Sequence, residues 1–237
     1  MDATLSLTTT GFIGLANYKV LFFGKIPSTQ TYAHELIARR GAADHTAIVA
    51  AAQSAGRGRY RRTWVSHHGN LYVSFIFDCQ NRDACLSYRV AVALAESLIS
   101  FGVPARIKWP NDIMVDGKKI CGVLIEYSGN FVIVGIGVNI KSNPTVAAGY
   151  KTTRMDRYCA ATIMDVLGAI MKKMDIWFKR DFIDVRARWT DLAVGLNRMV
   201  EYRGEDVELI GINENGALML RRGAEYILGY GDEIKMK

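Results

Sequence analysis

The sequence lacks the residue spacings that build metal and disulfide sites. Its four cysteines, Cys79, Cys85, Cys121 and Cys159, include no CxxC pair. Its four histidines, His34, His45, His67 and His68, show no metal-ligand spacing. A disulfide scaffold and a structural zinc site are therefore not expected, and the thiols read as reduced in a cytoplasmic protein. No apolar run approaches the ~20 residues of a membrane span. The opening MDATLSLTTTGFIGLANY has no basic n-region, so neither a signal peptide nor membrane attachment is expected. No Ser-His-Asp or Cys-His arrangement stands out. Cys121 reads as a small buried hydrophobe and His67–His68 as turn surface. Any chemistry is then expected to rest on electrostatic stabilisation rather than on a covalent nucleophile.

What is present is the balance of a folded chain: 50% apolar and 22% charged residues in 237. Thirty Lys and Arg against 23 Asp and Glu give a net charge of +7. That admits nucleic acid, an acidic protein partner or a phosphorylated ligand, and does not choose among them.

Residues 1–17 are weakly patterned. Tyr18 to Gly24 reads as a strand, and Ser28 or Thr29 caps a helix that Gly41 ends. Thr46 to Gln53 reads as a buried strand, and Asn70 to Asp78 as a strand alternating Leu71, Val73, Phe75 and Phe77 on one face. Leu86, Val90, Leu94 and Leu98 mark a buried helix from Ala84 to Phe101. Ala105 to Trp109 is a short strand, and Lys119 to Tyr127 with Phe131 to Ile140 a hairpin. Asp156 to Arg180 is helical, with a break expected near Gly168 or Asp175, and Ile183 to Leu192 is a shorter helix. From Gly195 the periodicity becomes that of short strands (MVEYR, DVELIGI, ALMLR, EYILGY), which predicts a small β-barrel leaning on the main body. The expected domains are 1–194 and 195–237.

Four segments carry candidate chemistry. In GRGRYRRTW, Gly56 and Gly58 permit close turns, while Arg57, Arg59, Arg61 and Arg62 offer guanidinium forks to phosphate or carboxylate oxygens. A plain solvated loop, or a nucleic-acid contact with Tyr60 and Trp64 as stacking surfaces, is the other reading. Gln53 leads into this loop. In KWPND, Pro110 stiffens the end of a strand, where Lys108, Asn111 and Asp112 can converge on a ligand; the same pattern also describes a strand–turn boundary with a packed Trp109. In KICGVLIE, Lys119 either snorkels to water or offers a point charge, and Gly122 admits a ligand against the strand. In GIGVN, Gly135 and Gly137 imply a bulge or a close backbone approach, and Asn139 is either a ligand contact or a strand-end turn residue.

Taken together and in this order, GRGRYRRTW, KWPND, KICGVLIE and GIGVN resemble the biotin protein ligases, over Phe22 to about Ile234. The resemblance implies an α+β fold: a mixed β-sheet with helices, like the catalytic domain of class II aminoacyl-tRNA synthetases, followed by an SH3-like β-barrel. It implies that biotin and ATP, with Mg²⁺, form biotinyl-5′-AMP, and that biotin passes to a lysine of a biotin carboxyl carrier protein or acceptor domain. It implies that Ser28, Thr29 and Gln53 hold the ureido ring, with Gln30 standing where many relatives have Asn. Gly56 and Arg57 would lie by the acyl chain. Arg59, Arg62 and Lys119 would meet carboxylate and phosphate oxygens. Lys108, Asn111 and Asp112 would serve the ATP end, with Asp112 as the metal contact, and Asn139 the nucleotide region; Trp64, Gly122 and Gly135 complete the binding set. Asp112 or Glu126 is the candidate base for the acceptor amine. Arg61 stands where the family usually has glycine. Only about 20 residues precede the ligase body, so the chain resembles the short form without a DNA-binding domain, and no DNA contact is expected. A homodimer and a monomer both stay open. Lipoate or octanoate ligation, a basic nucleic-acid-binding protein and a non-catalytic ligand scaffold are the alternatives.

Overall fold

Short β-branched and aromatic runs separated by turns cannot complete long helices, and they set up the sheets of this protein. Its structure is a computed structural model that describes residues 11–15, 17–80, 82–144, 151–231 and 234–236. The chain folds as two compact units, each discontinuous in sequence. One comprises residues up to Arg82 with Ile120–Met164, the other Asp83–Lys119 with residues from Asp165 on.

In the first unit, β1 (Gly11–Leu15), β2 (Tyr18–Ile26), β3 (Thr46–Gln53), β4 (Leu71–Asp78), β7 (Lys118–Ser128) and β8 (Phe131–Val138) lie in the order β1-β2-β3-β4-β8-β7. The β2–β3 pair is parallel and the other pairs are antiparallel. A parallel pair needs a crossover, and α1 (Thr29–Ala38) supplies it. Ser28 caps this helix, its side chain accepting from Thr31 N, and Gly41 N closes the far end on Leu36 O. Ala33 of α1 joins Phe23, Ile26, Ile48, Ala50, Ile76 and Ile133 in one apolar cluster. The weakly patterned start contains a strand, since Gly11–Leu15 pairs with Tyr18–Phe22; residues 1–10 lie outside the described residues. β4 does not alternate as its sequence suggests. It is buried at every position except Asp78, because α1 covers the face that carries Ser74.

In the second unit, α2 (Leu86–Ile99) packs on α4 (Phe182–Leu192) and on the hairpin of β5 (Arg106–Lys108) and β6 (Asp112–Val115). The expected break in the 156–180 helix is absent. A 3-10 turn at Met155–Arg157 precedes a single α3 (Ile163–Trp177) that runs through Gly168. Val166, Leu167, Ile170, Met171 and Met174 bury one continuous stripe across that glycine. Glu96 of α2 accepts from Lys173 of α3 (2.7 Å) and from Arg188 of α4 (2.8 Å). Burial by itself would raise the Glu96 carboxyl, but these bonds and the Lys173 charge outweigh it and hold the group below the usual carboxylate range.

The C-terminal strands β9 (Arg198–Tyr202), β10 (Glu205–Ile212), β11 (Leu218–Arg222), β12 (Glu225–Gly229) and β13 (Ile234–Met236) correct the expectation of a barrel. They form an open antiparallel sheet in the order β12-β11-β10-β9-β13. β13 pairs with β9 and not with β12, so among the described residues no sheet closes on itself. The α+β class holds; the SH3-like closure does not. Within the same unit, the turn before β11 is fixed from α2: the Tyr88 hydroxyl donates to Gly216 O at 2.6 Å and accepts from Trp109 Nε1 at 3.1 Å. Desolvation pushes the Tyr88 phenol up to about 12. No helix among the described residues is long and apolar enough to cross a membrane.

Two substitutions test this packing. Glu96→Gln is expected to cost about 1–3 kcal/mol near neutral pH. A lowered folded-state pKa contributes stability above the ordinary carboxylate range and loses it as pH falls through the folded value. The gap in melting temperature between wild type and variant should therefore narrow below roughly pH 4. Tyr88→Phe removes the partner of both Trp109 Nε1 and Gly216 O, and chemical denaturation should show a loss of about 1–3 kcal/mol.

Candidate functional site

Buried polar groups must find partners, and in the first unit they find one another at the start of α1. Thr29 N and Oγ1 both donate to Gln53 Oε1, at 2.8 and 3.2 Å. Gln53 Nε2 donates to Ser66 Oγ at 2.8 Å, and Ser66 Oγ donates to Trp64 O at 2.8 Å. From β4, Ser74 Oγ lies 2.9 Å from both Thr29 Oγ1 and Gln30 Oε1. Ser28, Thr29, Gln30, Ser66 and Ser74 are all buried. The structure thus brings Ser28, Thr29, Gln30 and Gln53 together in one polar floor of amide and hydroxyl groups. Ser66 and Ser74 belong to it and were missed. Ser74 had a visible signal, as the one serine inside the apolar and aromatic run LYVSFIF.

The glycines of GIGVN do approach other groups closely, but those groups belong to the protein. A Cβ at Gly135 would lie 2.5 Å from Gln30 Oε1, and one at Gly137 would lie 2.5 Å from the Trp64 indole. The register of β8 against β4 and β7 is unbroken, so there is no bulge. Gly122 stands directly opposite Gly137 across β7–β8. Asn139, just beyond β8, is buried. Its Nδ2 donates to Thr153 O at 3.1 Å, while its Oδ1 has no hydrogen-bond partner among the described residues.

The arginine loop closes on itself. Arg57 bridges to Thr63, Gly58 N donates to Arg62 O at 2.7 Å, and Trp64 N donates to Gly56 O at 2.9 Å. Gly56 is required here, since a Cβ would collide with the Trp64 carbonyl oxygen and sit 2.6 Å from Ser66 Oγ. The exposed Tyr60 ring has two guanidinium groups near its face, Arg59 at 4.9 Å and Arg62 at 5.7 Å from its centroid. Arg59 also donates to the Tyr60 hydroxyl at 3.0 Å. Tyr60 therefore organises two of the candidate cations. Arg61 takes φ 58° and Tyr60 φ 54°. The left-handed region costs a non-glycine residue about 1–2 kcal/mol, which is a physical reason for glycine at position 61 in the pattern this loop resembles.

Arg57 does not stand alone. It makes a bidentate pair with Glu126 at the end of β7, Nη1 to Oε2 at 3.1 Å and Nη2 to Oε1 at 2.5 Å. His34 Nε2 of α1 lies 3.0 Å from Glu126 Oε2. Burial would raise this carboxyl, but hydrogen bonds from His34 and Gln30 and the Arg57 charge outweigh it, and the group is held below the usual range. His34 carried no sequence signal, because its partner is 92 residues away.

In the second unit, Lys108, Asn111, Asp112 and Lys119 gather at the β5–β6 hairpin. Asp112 is not in the loop after the strand, as the sequence suggested, but opens β6 and pairs in register with Lys108. Both are buried. Lys119 Nζ lies 2.5 Å from Asp112 Oδ1, so this lysine turns to a carboxylate rather than to water. Among the described residues no three His, Cys, Asp or Glu side chains group to hold a metal ion. Mg²⁺ sites commonly use one or two carboxylates together with substrate phosphates, and a single Asp112 fits that mode.

Comparison with known proteins agrees with these motifs. The model of the biotin/lipoate A/B protein ligase family matches residues 22–143. The chain is 30% identical over 245 residues to the bifunctional ligase/repressor BirA of Bacillus subtilis, covering 92% of this chain and 74% of that protein. It is 38% identical over 202 residues to the biotin–[acetyl-CoA-carboxylase] ligase of Paracoccus denitrificans, covering 73% of this chain and 83% of that one. In fold it is similar to the biotin protein ligase of Aquifex aeolicus solved in complex with biotin and ATP, with a TM-score of 0.77 at 24% identity over 91% of this chain and 97% of the other. On the family match and these identities, the chain belongs to the biotin/lipoate A/B protein ligase family.

Proposed function

We propose that this chain is an ATP-dependent biotin–protein ligase. The biotin carboxylate attacks the α-phosphate of ATP, pyrophosphate leaves, and biotinyl-5′-AMP remains. The amine of an acceptor lysine then attacks the acyl carbon, and AMP leaves with the electrons of the broken C–O bond. The acceptor is a biotin carboxyl carrier protein or domain, and that of acetyl-CoA carboxylase is the specific acceptor we infer. The observation that carries this reading is the buried floor of Thr29, Gln30, Gln53, Ser66 and Ser74. A ureido ring presents two N–H donors and a carbonyl acceptor, which amide and hydroxyl groups can answer. A lipoyl or octanoyl chain has nothing to offer such groups and would leave them desolvated at a cost. That favours biotin within the family.

The roles follow the chemistry of each group. Ser28, Thr29, Gln30 and Gln53 hold the ureido ring. Gly135 contributes by admitting Gln30, and Gly137 by admitting Trp64, which walls the site. Gly56 and Arg57 lie by the acyl chain and carboxylate, with Gly122 on the strand opposite Gly137. Arg59 and Arg62, steered by Tyr60, and Lys119 answer carboxylate and phosphate oxygens. Lys108, Asn111 and Asp112 serve the ATP end, and the buried Asn139 Oδ1 accepts from the nucleotide. Asp112 would hold Mg²⁺ together with the nucleotide, and the ion would neutralise phosphate charge there. Residues 1–194 are assigned to binding and catalysis and residues 195–237 to a C-terminal module.

Mixing the pure protein with biotin, ATP and Mg²⁺ should release pyrophosphate, and lipoate or octanoate in place of biotin should not. Equal release with lipoate would remove biotin as the substrate. Lys119→Ala should lower the rate of adenylate formation by roughly 10²–10³ with a much smaller change in the biotin dissociation constant. Equal losses in both would reject a role on the developing phosphoryl charge.

A further inference from the structure

KICGVLIE ends on Glu126, whose only sequence-based role was that of a base for the acceptor amine. Its surroundings argue otherwise. The carboxylate faces both Nη groups of Arg57, His34 and Gln30. A carboxylate committed to that many donors, and held below its usual range, is a poor proton acceptor.

The same geometry suits an anchor. Glu126 stands on β7 in unbroken register with β8, opposite Ile133, and His34 braces it from α1. Arg57 is held at both ends. Its backbone bridges to Thr63, and its guanidinium is engaged fork to fork by Glu126. A guanidinium has five N–H donors, and the pair with Glu126 uses one on each Nη. Among the described residues the Nε–H and the outer N–H of each Nη remain, in a plane whose direction Glu126 sets. An acid bound by Arg57 therefore meets donors already aimed, which is where orientation contributes most to rate.

We propose that Glu126 is a positioning residue for acyl activation: braced by His34, it fixes the orientation in which Arg57 presents its remaining donors to the carboxylate of the acid. The inference rests on the biotin–ATP reading above.

The test is Glu126→Gln, which keeps size and one acceptor but removes the charge and the fork. Pyrophosphate release is measured with biotin and with ATP varied separately, for wild type, Glu126→Gln, Arg57→Ala and the double variant, with melting curves for each. Glu126→Gln is expected to lower kcat/KM for biotin by about 10- to 100-fold while KM for ATP stays within about twofold. In the Arg57→Ala background it should add no further loss, since its effect passes through Arg57. His34→Ala, which leaves the ion pair in place, should give a smaller loss of the same kind and carries the test if Glu126→Gln does not fold. Full activity in Glu126→Gln overturns the proposal. So does raised activity, which would make Glu126 a competitor of the ligand, and so does an undiminished further loss in the Arg57→Ala background. A wild type that releases no pyrophosphate from biotin and ATP overturns the function reading, and this inference with it. An active wild type beside an indifferent Glu126→Gln overturns this inference alone.

Discussion

The carboxamide of Gln53 accepts both donors of Thr29 and gives one of its own to Ser66. It thereby joins the last residue of β3, the first residue of α1 and the chain that leaves the arginine loop. Unpaired amide and hydroxyl groups at that depth would each cost about 1–3 kcal/mol. The floor is therefore satisfied as a set, and its members constrain one another's rotamers. Gln30 lies over Gly135, and Trp64 over Gly137, because those strand positions carry no side chain. The loop emerges from this floor already closed by its own backbone bonds. The first unit offers a ligand a rigid base and, in Arg57, a cation held by a carboxylate from β7.

The second unit follows a related logic with charge in place of amides. Lys108 pairs in register with Asp112 across a three-residue turn, and Lys119 meets the Asp112 carboxylate. Asp112 and Lys119 thereby bring one carboxylate and one ammonium together at the start of β6.

The elements that sequence reveals best are those whose signal is local. β3 matches its expected bounds, and the Ser28 cap, the Gly41 stop and the β7–β8 hairpin follow from side-chain chemistry within a few residues. What the sequence conceals depends on neighbours distant along the chain. β1 has little apolar pattern and is a strand because β2 pairs with it. β4 loses its alternation because α1, far from it in sequence, covers its second face. α3 survives Gly168 because its buried stripe spans the glycine. The C-terminal strands are visible in the sequence, but closure of their sheet depends on which edges meet, and a local pattern does not carry that information. The same division holds at the site. The arginines, KWPND and the paired glycines announce themselves, whereas Ser66, His34 and the partnership of Glu126 with Arg57 exist only through contacts across 13 to 92 residues.

The open C-terminal sheet has a consequence for how the protein behaves when concentrated. Each of its two outer strands turns one row of backbone amides and carbonyls away from its neighbours, and such rows can recruit any extended segment that arrives. β13, three residues long, offers too short a row to hold a visitor. β12 is five residues long and shows Tyr226 and Leu228 at its surface. Of the two margins, β12 offers the longer row for such pairing, and Glu225 at its start is engaged by Arg222.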